Sequence, residues 1–146
     1  MTSGSVSWTP SLDGLRKKLT KGLAVRVEQP EARRGEEIQA VVTIVDLAGL
    51  GTLEVGLVCV EHYDEETYTG GESGGASRTT STSTQHEQWQ PLPSQQGEHS
   101  VRFTIPQQGP FSYEGSCLSL TWEVVARGAR KRALDAKASQ EITVRP

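Results

Sequence analysis

In the run Leu118, Leu120, Trp122, Val124, Ala126 every second residue is apolar, and Cys117, Ser119, Thr121, Glu123 and Val125 fall between them. A period of two is the spacing of side chains on a β-strand. A helix would need apolar residues three and four apart. The same alternation recurs at Leu23, Val25 and Val27, at Ile38, Ala40, Val42 and Ile44, at Leu53, Val55, Leu57 and Cys59, and at Val101, Phe103 and Ile105. Ile142 and Val144 mark a last short strand. Between these runs stand turn signals: Gln29-Pro30 followed by EARRGE, DLAGLG, PLPSQQGE and QQGPFSYEGS. Proline cannot donate to a strand ladder and glycine tolerates positive φ, so each signal ends one strand and reverses the chain.

The pattern predicts about seven strands joined mainly by short turns, with no interior helix and no strand–helix–strand rhythm. Sequential strands of this kind build antiparallel sheets. One open sheet would leave its apolar face in water, at about 25 cal/mol per Å². The expected fold is therefore an all-β, antiparallel, immunoglobulin-like sandwich. One excursion stands apart from the core-forming runs. The strand LEVGLVCVEHYDEETY continues past its apolar residues to TGGESGG at 69–75 and returns as SRTTSTSTQHEQW, a long polar hairpin over residues 62–88. Glycines suit its tip, and threonine has strand propensity on the return arm.

With 146 residues, of which 34% are apolar, the chain has the length of one domain and the material for a modest core. Residues 22–146 read as that domain, and residues 1–21 as a leader, either partly disordered or a short helix with Ser11 as N-cap and Leu12, Leu15 and Leu19 at helical spacing. A net charge of −3 does not point to nucleic acid or an anionic membrane. No run reaches the about 18 apolar residues of a spanning helix, and the N-terminus lacks the apolar core of a signal peptide, so cytoplasmic residence is the expectation. Charge is unevenly distributed. Residues 46–66 hold Asp46, Glu54, Glu61, Asp64, Glu65 and Glu66 without a base, whereas 123–145 hold Arg127, Arg130, Lys131, Arg132, Lys137 and Arg145. That distribution predicts one acidic edge and one basic end. Alternation turns Cys59 inward and Cys117 outward, so two free thiols are expected.

From Thr104 onward, Ile105-Pro106, then Pro110-Phe111-Ser112-Tyr113-Glu114-Gly115, then LSLTWEVVA, Leu134-Asp135 and a closing ITV strand resemble the arrestin-like family of β-sandwiches. EQPEARRGEEIQAVVTI and LEVGLVCVEHY resemble that family's early strand–turn–strand and its long central strand. The resemblance spans residues 22–146 and implies an adaptor or scaffold of the arrestin-fold and sporulation-control type. The larger members commonly have two sandwich domains, and this chain has length for one. In the aromatic turn, Pro110 fixes φ while Phe111 and Tyr113 are expected to plug the sandwich end.

Chemistry is sparse. His62, His86 and His99 fit no metal-ligand spacing, serines and threonines lack a nucleophile elbow, and GGESGG precedes a strand where a phosphate loop would precede a helix. The leading expectation is a non-catalytic interaction or scaffold module that binds a protein partner through an edge strand or the 62–88 hairpin. Its candidate contacts are Tyr63, Tyr68, Thr80, Thr82 and Thr84 on the hairpin, with Arg130, Lys131 and Arg132 as a basic cluster. Self-association through edge strands is a further expectation. No cofactor is implied. The alternative is a small metal-dependent hydrolase centred on His62, Asp64 and His86, which requires the two hairpin arms to bring these side chains together near its base.

Overall fold

A computed structural model describes residues 22–47, 51–68, 75–128 and 136–146. These residues form nine strands and no helix: β1 (Leu23–Val27), β2 (Glu31–Arg33), β3 (Glu37–Ile44), β4 (Leu53–Tyr68), β5 (Ala76–Leu92), β6 (Gly97–Thr104), β7 (Tyr113–Glu114), β8 (Leu118–Gly128) and β9 (Ala136–Arg145). Two sheets result, β1-β3-β6 and β2-β9-β8-β4-β5, with β7 added on β8. The molecule is an all-β sandwich. Both N-terminal helix and leader, the hairpin tip at 69–74 and the cluster Arg130, Lys131 and Arg132 lie outside the described residues.

The alternating residues meet between the sheets. Leu23, Val25, Ile38, Val42, Phe103 and Ile105 come from one side, and Leu53, Val55, Leu57, Cys59, Trp122, Val124 and Ile142 from the other. Trp122 is fully buried and is the largest side chain in this interior. Each buried aliphatic contributes roughly 1.5–3 kcal/mol, enough for a modest core to hold two sheets together.

Three local expectations need correction. EARRGE is more than a turn: Ala32 is buried between exposed Glu31 and Arg33, and this short strand runs parallel to β9 with Glu31 opposite Thr143. One pair in an otherwise antiparallel structure is therefore parallel. Tyr113–Glu114 forms a two-residue strand on β8, too short to show periodicity. Phe111 and Tyr113 remain 36% and 49% exposed, so neither plugs the sandwich end; Phe111 instead carries the Arg34 guanidinium 5.3 Å above its ring. Of the described bases, Arg127 and Lys137 lie side by side across β8 and β9, and Arg145 lies at the far end of β9. Arg127 pairs with Glu54 beside the start of β4, and Arg145 pairs with Glu31 where β2 meets β9.

Candidate functional site

The β4–β5 hairpin has two unlike halves. From Leu53 to Cys59, β4 pairs with β5 on one side and β8 on the other, and its core face is buried. Beyond Tyr63, which faces Leu118, β8 has run out, and only Asp64 N–H reaches back, to the Cys117 carbonyl at 2.8 Å. The distal arms continue together to Tyr68 and Ala76.

A bulge separates the halves. Cys59 lies opposite His86, but Val60 lies opposite Thr84, which leaves Gln85 as the extra residue. One inserted residue inverts the facing of everything beyond it. His86, opposite Cys59, points to the core side, its ring 5.4 Å from that of Trp122 and its Nε2 3.0 Å from Gln88. His62 pairs with Thr82 and shares the outer face with Asp64 and Val60. The sequence expectation that His62, Asp64 and His86 converge is thus not met: the register puts the two histidines on opposite faces. Asp64 instead accepts a 2.7 Å hydrogen bond from Thr80 Oγ1. Among the described residues no group of three His, Cys, Asp or Glu side chains converges in metal-binding geometry.

Cys59 and Cys117 are free thiols, the first buried and the second exposed. Burial, with a smaller contribution from the Glu61 carboxylate, pushes the Cys59 thiol up to about 11. A thiol held protonated at neutral pH is a poor nucleophile.

Sheet edges differ in how their backbone groups are satisfied. On β1, Val27 N–H donates to Gln140 Oε1 at 2.8 Å. On β6, the Thr104 and Arg102 carbonyls accept from Gln88 Nε2 at 3.0 Å and Gln90 Nε2 at 2.6 Å. These glutamines project from β5 on the core side and tie the two sheets together along that border. β2 is only three residues long. β5 extends over 17 residues and ends the larger sheet, with no strand of the described residues on its outer side.

Which β5 residues present backbone outward follows from the ladder. Because Asp64 N–H points to β8, Asp64 and its partner Thr80 are a non-hydrogen-bonded pair across β4–β5, and Thr80 turns its N–H and C=O away from β4. By alternation Arg78, Thr82 and Thr84 do the same. Past the bulge the parity changes, and Pro91, opposite Glu54, falls on an outward position where its missing N–H costs nothing. Residues Thr79 through Gln85 are all exposed and uncharged. Of the residues singled out from sequence, Thr80, Thr82 and Thr84 therefore share one open edge and one face. Tyr63, 45% exposed, lies opposite Ser81 on the other face, and Tyr68 pairs with Ala76 at the end of the ladder.

The outer face of the proximal half carries a feature that alternation did not reveal. Trp89 lies across Gly56, where a Cβ would collide with the indole ring. Arg127 stacks on that ring at 3.8 Å while bonding Glu54, and Trp89 Nε1 donates to Glu87 at 2.9 Å. A depression of about 350 Å³ beside it is lined by Val58, Val60, Val125 and Lys137 among others. A second, of about 450 Å³, lies where β8 and β9 diverge around Ser112 and Tyr113.

No family model and no curated protein matches the chain. Among solved structures, Spo0M, a sporulation control protein from Bacillus subtilis, is similar at a TM-score of 0.45 and 14% identity, over 85% of this chain and 49% of that one. The chain thus spans about half the length of the structure it matches. Likeness at this level bears on neither partner nor activity.

Proposed function

We propose that the chain is a non-catalytic interaction module, a single sandwich of arrestin-like type, that binds a protein partner by adding the partner's extended segment to β5. The observation that carries this reading is the open edge at Thr80, Thr82 and Thr84, where outward backbone donors and acceptors lie beside exposed, uncharged side chains. An added strand satisfies those groups through main-chain hydrogen bonds, and the outer-face side chains select among sequences. The reading also agrees with the sparse chemistry: the buried Cys59 is quiet and the histidines sit apart.

The test is to replace residues 62–82 by an Asn-Gly turn, which joins the hydrogen-bonded Glu61–Ser83 pair directly. The shortened protein is expected to keep the β-type circular dichroism spectrum and cooperative melting while losing captured partners. Undiminished capture by the shortened protein contradicts the proposal.

A further inference from the structure

The geometry of β5 points to a specific occupant of its open edge: a second copy of this chain, related by a two-fold axis through Ser81. This rests on the reading of β5 as the recognition edge and names what it recognises. An antiparallel partner must offer outward groups to outward groups, and β5 has these at Arg78, Thr80, Thr82 and Thr84, before the bulge at Gln85 shifts the parity. A register centred on Ser81 uses all four and pairs them only with one another, whereas one centred on Thr80 would draw in Ala76 at the end of the ladder. Arg78 then faces the second copy's Thr84, Thr80 faces its Thr82, and both relations repeat by symmetry. Four such pairs supply about eight main-chain hydrogen bonds.

Three features favour a self-pairing over a foreign strand. Thr79 through Ser83 are all serine or threonine, so every cross-strand neighbour in that stretch is a small hydroxyl against a small hydroxyl, a combination suited to strand pairing and free of like charges. Proline and lysine, with which exposed edges commonly block such contacts, are absent from Ala76 to Gln90. On the outer face the row runs from Asp64 through Thr80 to the second copy's Thr82 and His62, placing a carboxylate and an imidazole at its opposite ends. The product is one continuous sheet across both copies, an isologous contact that closes on itself.

The register makes the test sharp. In full-length protein carrying Cys117→Ser, Ser81→Cys puts two thiols on the axis at a non-hydrogen-bonded pair, with Cα atoms about 4.5 Å apart, within disulfide reach. Thr79→Cys lies opposite Ser83, so its own mate is four residues away, about 13 Å, and out of reach. Sedimentation should show a dimer at concentrations up to about 100 μM. Mild oxidation should cross-link Ser81→Cys and leave Thr79→Cys uncross-linked, and Thr82→Pro should abolish the dimer while the circular dichroism spectrum is retained. A monomer at every concentration, a dimer indifferent to Thr82→Pro, or equal cross-linking at 79 and 81 overturns the pairing. A monomer that still loses captured partners when the hairpin is shortened overturns the pairing alone and leaves the module reading standing.

Discussion

The two halves of the β4–β5 hairpin share strands, partner and direction, yet differ in what holds them. The proximal half is buried on one face, pinned to β6 by Gln88 and Gln90, and covered on the other face by Trp89 under Arg127. The distal half has ladder bonds and exposed hydroxyls, and none of its described side chains is buried. Packing fixes the first, while hydrogen bonds alone shape the second. A two-stranded ribbon without an apolar face is marginal in water, so the distal half is the part whose edge is free to serve another chain.

The comparison breaks most visibly at Trp122. Its replacement by alanine empties the largest buried site opposite Cys59 and should cost about 3–5 kcal/mol, read as a shifted denaturation midpoint with an unchanged slope. If the loss is below about 1 kcal/mol, the proximal half does not rest on its core.

Gly56→Ala should cost about 1–3 kcal/mol, because its methyl group enters the space of an indole held by Glu87 and Arg127. Adding Trp89→Ala should remove the conflict, so the double variant should be no less stable than Trp89→Ala alone. Equal costs of Gly56→Ala with and without Trp89 would show that the glycine serves another purpose.

Cys59 offers a pH readout of the same half. Its folded thiol titrates near 11, above the usual value near 9, so the folded state holds the proton more tightly. The stability it favours is whole below about pH 9 and declines as pH rises toward 11. Cys59→Ala should flatten that decline. At neutral pH a thiol reagent should modify Cys117 in the folded protein and reach Cys59 only on unfolding.

The smallest effect is expected in the distal half. Thr82→Ala removes only exposed atoms and should change stability by no more than about 0.5 kcal/mol. A larger loss in dilute protein would mean that the arm is already covered.

Much of this contrast could be read in residue order. Alternation at Leu53–Cys59 and at Trp122–Ala126 located the buried faces, because period two with β-branched residues leaves few other arrangements. Leu118 and Leu120 follow the same pattern but are only half-buried, since β8 there extends along the part of β4 where burial fades. Periodicity reports which side a residue faces and is blind to whether anything lies opposite. The bulge at Gln85 left no mark either: QHEQW reads the same with one residue more or fewer in the ladder, and only the pairing of Cys59 with His86 and Val60 with Thr84 reveals it. The convergence of His62 with His86 fails on the ladder itself, since His86 stands opposite Cys59, three residues from His62 along β4 and so on the other face. β2 had a faint signal, one alanine between two charges, which proline and glycine on either side made look like a turn.

The Gln85 offset also limits how this molecule can change over generations. An edge strand always turns alternate residues outward, so losing or gaining a single amino acid between Thr80 and the bulge would not close the border; it would turn Thr80 toward β4 and exchange the faces of the side chains around it. Removing or adding two would leave Thr80 outward. Descendants that keep the same threonines on the border should therefore vary this stretch by even steps in length.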